Sequence, residues 1–190
     1  ESILSYSFFA KNVLGLRLSR FHEEAMDEIT NRYLLVVWPR GHLKTTMFTI
    51  GYTIWRLWKE RGADICIVSS SSDQSKLMIE NIQRTIEENE FLKDLIPEKR
   101  EDTWNKGQMN TTNGNRCFMK PFNSTARGIH VDYLIMDDIL REENISQTQI
   151  KEYFWSIFYP TVQTKKGQII MVGTPMTATD LFYELEESYP

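Results

Sequence analysis

Short apolar runs, each ending in polar or acidic residues, recur along this chain and constrain its fold more than any other feature. Runs of the length of a buried strand occupy residues 33–38, 63–69, 133–136 and 168–172. Segments with helical periodicity separate them, over residues 20–32, 44–60, 146–158, and from a cap at Ser72 or Asp73 to about residue 89. Continuous apolar strands that alternate with helices are typical of parallel sheets covered on both faces. The sequence therefore predicts an α/β domain with a mostly parallel central sheet.

Residues 97–121 show neither the continuous apolar runs of the predicted strands nor helical periodicity. Turn signals at Asn105-Lys-Gly107 and Asn113-Gly114 predict a hairpin or two edge strands here, a short antiparallel addition to the sheet. No repeat or Pro/Gly-rich linker divides the 190 residues, so we expect one domain over residues 1–190. The chain begins at Glu1 without a Met, which is typical of a segment of a longer protein.

Composition excludes several classes of protein. The chain is 41% hydrophobic and 25% charged, a balance typical of soluble globular domains. Its apolar runs are far shorter than the ~20 residues that a membrane span needs, so we expect no membrane contact. A formal net charge of -4 means that any contact with DNA requires a local basic patch. Cys66 and Cys117 lack a CxxC spacing and fit a reducing cytoplasm.

A candidate phosphate-binding loop lies between the first strand and the helix after it, over residues 38–46. Such a loop points backbone N–H groups and a helix N-terminus at a triphosphate. Lys44 would contact the phosphates, and Thr45 would offer a hydroxyl to Mg²⁺. The loop departs from the pattern G-x-x-x-x-G-K-[ST] because Trp38 and Leu43 occupy the glycine positions. The remaining loop residues predicted to surround the nucleotide are Arg40, Gly41, His42 and Thr46.

Two carboxylates follow the strand at residues 133–136. In a parallel sheet, ligands gather beyond the carboxyl ends of the strands, so Asp137 and Asp138 should face the same site as the loop. Asp137 fits a magnesium partner. Asp138 fits a general base for the attacking water, but Asp reaches one methylene less far than Glu, so it needs a shifted backbone or works less efficiently. A solvated strand end is the alternative interpretation of the pair.

Other candidates are single residues. Thr174, in a Val-Gly-Thr-Pro turn after the last strand, could sense the γ-phosphate, or the turn could be purely structural. Arg127 suits a finger that stabilises transition-state charge and could act on a neighbouring subunit's nucleotide, with Arg40 as the rival. In the alternative interpretation Arg127 forms a surface salt bridge. Phe21 and His22 precede the first strand, where adenine would bind. In the alternative interpretation Phe21 belongs to the core and His22 to the surface.

A basic stretch with interleaved aromatic residues is the candidate DNA contact. Acidic neighbours dilute its charge, so a solvated loop is the alternative interpretation. Its basic residues are Lys99, Arg100, Lys106, Arg116 and Lys120.

In the order and context of these pieces, the chain resembles the ATPase domain of phage terminase large subunits. The resemblance covers nearly the whole chain. The matching pieces are residues 39–46, Trp104-Asn105, residues 126–128, residues 132–138, Gly173-Thr-Pro175 and Asp180-Leu181.

The resemblance implies a P-loop NTPase fold of the additional-strand, RecA-like type, a three-layer sandwich, with ATP and Mg²⁺ as cofactors. It implies Lys44 and Thr45 as the phosphate-loop pair, Asp137 at the metal, Asp138 as base, Thr174 as coupling residue and Arg127 as trans-acting finger. Implied partners are double-stranded DNA, a portal protein and a small terminase subunit, with the chain in a homo-oligomeric ring or monomeric in isolation. The place of action would be the host cytoplasm, at the procapsid portal vertex. A C-terminal nuclease domain of the full-length protein would lie outside this chain.

Two alternatives remain open at the level of sequence. One is a helicase or remodelling ATPase with the same motor. The other is a nucleotide-binding module that assembles a ring and turns over little ATP.

Overall fold

The fold is described from a computed structural model for residues 5–100, 103–124, 128–141, 146–162, 166–176 and 180–188. The α-helices are α1 (Tyr6–Asn12), α2 (Arg20–Asp27), α3 (Tyr52–Lys59), α4 (Ser72–Glu88), α5 (Gln147–Tyr153) and α6 (Leu181–Ser188). The strands are β1 (Tyr33–Val37), β2 (Asp64–Ser69), β3 (Gln108–Asn110), β4 (Arg116–Pro121), β5 (Tyr133–Asp137) and β6 (Gln168–Gly173). A π-helical segment, Thr45–Gly51, leads into α3, and another, Phe154–Phe158, extends α5. Short 3₁₀ turns are Glu28–Thr30, Glu90–Leu95, Ile139–Arg141 and Tyr159–Thr161.

The described strands form one sheet in the order β1-β6-β5-β2-β4-β3. Every pairing is parallel except that of β3 with β4. The predicted parallel sheet with a short antiparallel addition is therefore confirmed. Of the two predicted alternatives, the hairpin is confirmed, since β3 and β4 pair antiparallel. Two edge strands are not present among the described strands, because β4 also pairs with β2 and β3 alone lies at that edge. β6 lies between β1 and β5, which brings the ends of all three strands together.

Helices cover both faces of the sheet and make a three-layer sandwich, as predicted. On one face α1, the helix after β1 and α4 bury Phe9, Phe48 and Ile79 against alternate strand residues. On the other face α5, its π-helical extension and α6 bury Phe154, Phe158 and other apolar side chains. Ile67 and Val68 belong to different clusters because successive strand side chains point to opposite faces.

Capping side chains begin several helices. Ser19 caps α2 as predicted from the sequence, and Ser146 caps α5 in a capping box with Gln149. The cap of α4 is Ser71, whose hydroxyl accepts from the N–H of Gln74, so the predicted caps Ser72 and Asp73 are wrong by one or two positions. Among the described residues, no helix is both long and apolar enough to cross a membrane.

A close approach between Gly173 and α6 supports the following prediction. A Cβ at Gly173 would overlap Cε2 of the buried Phe182 ring. We expect Gly173→Ala to lower the free energy of unfolding by about 1–3 kcal/mol, because the ring must shift within a packed core. Urea denaturation measures the change.

The matched control is Gly107→Ala, whose Cβ would have its nearest neighbour at 3.5 Å. It should change stability by less than about 0.5 kcal/mol. In a Phe182→Leu background, Gly173→Ala should lower the free energy of unfolding less than it does in wild type. Equal stability of Gly173→Ala and wild type would contradict the predicted close contact.

Candidate nucleotide site

The loop after β1 closes over a small cavity at the carboxyl edge of the sheet. The cavity has a volume of about 330 Å³, and seven consecutive loop residues together with Asp138 line it. The lining loop residues are Arg40, Gly41, His42, Leu43, Lys44, Thr45 and Thr46. The structure thus brings the predicted phosphate loop and the predicted base to one cavity.

The backbone of the loop explains the two unusual motif positions. Gly41 has φ +81°, and Leu43, at the position where the motif has its second glycine, has φ 59°. Leu43 therefore adopts the left-handed conformation that glycine adopts without a Cβ penalty. Its carbonyl accepts from the N–H of Met47 at 2.8 Å and begins the following helix. The loop keeps its shape here although Leu43 has a strained backbone conformation.

Lys44 joins the ends of β1 and β6. Its side chain is buried, and its Nζ donates to the carbonyl oxygens of Trp38 at 2.6 Å and Pro39 at 3.2 Å. Nζ also donates to Oγ1 of Thr174 at 2.9 Å. A lysine in contact with the turn after a different strand is unexpected for an ordinary exposed strand-to-helix connection. The loop and the predicted coupling residue Thr174 therefore meet.

Asp137, at the end of β5, is 1% exposed and lies beneath the helix that follows the loop. Oγ1 of Thr49 donates to its Oδ2 at 2.6 Å. Burial raises the pKa of Asp137 above its ordinary value, while the Thr49 hydrogen bond and the nearby Thr45 hydroxyl oppose the shift. The charge of Lys44 also favours the ionised form, and that of Asp138 disfavours it. The sequence analysis did not identify Thr49 as a site residue. Its position four residues after Thr45 is the sequence feature that could have indicated it.

Asp138 also has a left-handed backbone, with φ 54°. Its N–H donates to the carbonyl of Val172 on β6 at 2.8 Å, which places the turn next to the Thr174 loop. The side chain is partly exposed and lines the cavity. Asp138 therefore reaches the cavity from a left-handed turn directly after β5.

The donor set around Asp137 fits Mg²⁺. Magnesium is usually held by one or two carboxylates together with substrate phosphates and water. Asp137 supplies a carboxylate and Thr45 a hydroxyl, and a hydroxyl that donates its proton still has lone pairs for a cation. Within the described part of the chain, no cluster of three or more His, Cys, Asp or Glu side chains forms an all-protein cage.

An aromatic cluster borders the loop. Ring centroids of Phe21 lie 5.2 Å from Trp38 and 6.2 Å from His42, and His22 lies 5.5 Å from Trp38. Phe21 is 43% exposed and His22 only 7%, so the alternative with Phe21 in the core and His22 on the surface is wrong. The N–H of Ser19 donates to Nδ1 of His22, whereas the buried Nε2 has no partner among the described residues.

The structure places one of the two candidate arginines, Arg40. Arg40 is exposed and lines the cavity. Arg127 lies outside the described residues, so the structure does not place it.

Three of the basic residues proposed for DNA contact are paired with acidic side chains. Arg100 pairs with Glu87, Lys106 with Glu80, and Arg116 with Asp64 through two hydrogen bonds of 2.9 Å. Lys120 lies four residues along β4 from Arg116, toward the carboxyl edge of the sheet. Lys99 belongs to the segment before β3. Acidic partners thus neutralise much of the positive charge expected of this stretch.

A mostly parallel sheet with a phosphate-type loop after β1 and acidic residues after β5, with β6 between these two strands, has the fold of P-loop NTPases. No family model matches the chain. A curated relative, the terminase large subunit of Enterobacteria phage T3, is 24% identical over 151 residues, which is 75% of this chain and 26% of the relative.

Solved structures extend this similarity. The large terminase ATPase domain of Thermus phage P74-26 matches with a TM-score of 0.70 at 15% identity, over 94% of this chain and 72% of that one. The large terminase of a thermophilic bacteriophage, in complex with ADP, matches with a TM-score of 0.56 at 10% identity, over 96% of this chain and 42% of that one. The predicted resemblance to the ATPase domain of terminase large subunits is confirmed. The chain spans about a quarter of the curated relative's length.

The left-handed backbone of Leu43 supports a second prediction. Leu43→Asn should raise the free energy of unfolding by about 0.5–1 kcal/mol, because Asn tolerates this conformation better than Leu. Leu43 is 42% exposed, so little apolar burial is lost. The control Leu77→Asn, 58% exposed within α4, should lower stability because Asn is a poorer helix former. A loss of stability at both positions in urea denaturation would contradict the assignment of strain to Leu43.

Proposed function

We propose that this chain is the ATP-hydrolysing motor domain of a viral terminase large subunit, which drives double-stranded DNA into a procapsid. The observation that carries the proposal is the meeting of Lys44, Thr174 and the Asp137 carboxylate at the ends of three adjacent strands. A triphosphate needs a cation, a helix N-terminus and a metal partner within one site. The ADP complex of the thermophilic-phage terminase supports nucleotide binding in this fold.

Each residue has a defined part in the proposed site. Lys44 binds the β and γ phosphates in place of the carbonyl oxygens that it now contacts, since a charged oxygen is the stronger acceptor. Thr45 and Asp137 hold Mg²⁺, which would neutralise charge on the phosphates. Asp138 orients the attacking water and accepts its proton. Thr174, hydrogen-bonded to Lys44, registers the state of the phosphates.

The aromatic cluster binds the base. Phe21 offers an exposed ring for stacking next to Trp38 and His42. Because Nδ1 of His22 accepts a hydrogen bond from Ser19, the neutral ring carries its proton on Nε2. That N–H has no partner in the described residues and suits a ring nitrogen of adenine.

The wider assembly is part of the same proposal. The chain acts in the host cytoplasm as part of a ring at the procapsid portal vertex, with a portal protein and a small terminase subunit as partners. Nuclease activity belongs to a further domain of the full-length protein. Lys99 and Lys120, which have no acidic partner in the ion pairs described above, are the first DNA contacts to test, before Arg100, Lys106 and Arg116.

Loss of turnover tests the catalytic assignment. Lys44→Ala and Asp138→Asn should each lower ATP hydrolysis at least about 100-fold at saturating DNA and high protein concentration, by removing transition-state charge stabilisation and the base. Lys59→Ala, at the far end of the same helix as Lys44, is the control and should keep near-wild-type turnover. Phosphate release measures the rates. Nucleotide binding by wild type without turnover would favour a ring-assembly module instead.

Mixing of variants tests which arginine acts in trans. An Arg127→Ala chain mixed with a Lys44→Ala chain should recover part of the activity, because each nucleotide-competent subunit then receives Arg127 from its neighbour. Arg40→Ala mixed with Lys44→Ala should recover none, since Arg40 lines its own subunit's cavity. If the mixtures fold and assemble but only the one with Arg40→Ala recovers activity, Arg40 rather than Arg127 acts in trans.

A further inference from the structure

Thr49 occupies a position that the phosphate-loop motif does not specify. It lies four residues after Thr45 in the π-helical segment and is 0% exposed. Its hydroxyl donates to Oδ2 of Asp137 at 2.6 Å, at the floor of the site. Both threonines therefore reach the same carboxylate, Thr49 from within the core and Thr45 from the helix start next to the cavity.

The chemistry of this carboxylate limits how it can be held. A carboxylate buried to this extent requires hydrogen-bond donors. It can rotate about its Cα–Cβ and Cβ–Cγ bonds unless a donor fixes one oxygen, and a hydroxyl has a single proton to give. Thr45 is the other hydroxyl near enough to favour the ionised form of Asp137, and in the proposed site it also faces the cation.

We propose that Thr49 is a positioning residue for the metal–nucleotide site, which holds one Asp137 oxygen so that the carboxylate stays aligned with the Thr45 hydroxyl. The inference rests on the proposed function, because it assigns Asp137 and Thr45 to Mg²⁺. Residues that orient a metal-ligating group commonly change metal affinity or activity 10–100-fold, roughly, when they are replaced. Thr49 contributes to magnesium-dependent binding without contacting nucleotide.

Thr53 provides a matched control on the same helix. It is also 0% exposed and lies four residues further along, but its Oγ1 has no hydrogen-bond partner among the described residues. Thr53→Val removes a buried, unpaired hydroxyl and should leave stability unchanged or raised. Thr49→Val makes the same change in shape and removes the hydrogen bond to Asp137.

The experiment measures ADP affinity by calorimetry, with MgCl₂ and with EDTA, for wild type and each variant. The ratio of the two affinities reports the magnesium-dependent part of binding. We expect Thr49→Val to lower this ratio about 10-fold while changing affinity in EDTA less than about 3-fold. Thr49→Ser, which keeps the donor, and Thr53→Val should both retain the wild-type ratio.

Other outcomes separate the inference from the function on which it rests. If Thr49→Val folds and its ratio of ADP affinities is that of wild type, Thr49 has a purely structural role. The same conclusion follows if ADP affinity falls equally with and without magnesium. If Thr49→Val does not fold, Thr49→Cys replaces it: the weak S–H donor should lower the ratio, and a wild-type value would overturn the inference. A wild-type chain that binds no ADP in either condition would instead overturn the proposed function.

Discussion

The contact of the Lys44 ammonium with the ends of two strands organises this site. Lys44 lies on the helix after β1, yet it donates to carbonyl groups at the end of β1 and to the hydroxyl that follows β6. This is possible because β6 is inserted between β1 and β5, which places Thr174 beside the loop and Asp138 on the other side. An arrangement in which β1 and β5 were neighbours would leave no place for Thr174 between loop and acids. Strand order therefore decides which side chains can respond to the same phosphate.

Backbone conformation at two positions shows how the site tolerates unusual residues. Leu43 and Asp138 are the described non-glycine residues with positive φ, and they stand where the motif has glycine and a longer acid. Each conformation costs about 1 kcal/mol or more, and the surrounding structure must impose it. The carbonyl of Leu43 begins the helix that carries Lys44, and the N–H of Asp138 is fixed to β6. Backbone hydrogen bonds thus hold both residues in this conformation.

The sequence predicted those parts of the fold that depend on patterns within short stretches of the chain. Strand and helix order, the antiparallel addition and the Ser19 cap follow from hydrophobic period, turn signals and capping chemistry. The short helices α1 and α6 were not predicted, because their seven and eight residues give only about two turns in which a period can be read. The exposure of Phe21 and burial of His22 depend on where Trp38 lies, and the partner of Thr49 depends on β5. Such contacts join residues far apart in sequence, so local patterns do not contain them.

Beyond the cavity, the loop after β6 connects the site to α6. Asp180 is fully buried; its Oδ2 accepts from the N–H of Met176, two residues after Thr174, and its Oδ1 from the N–H of Tyr183 in α6. Glu184 in α6 then pairs with Lys151 at 2.7 Å and accepts from the indole of Trp155. The Lys44–Thr174 contact is thereby linked through backbone and carboxylate hydrogen bonds to the layer on the opposite face of the sheet.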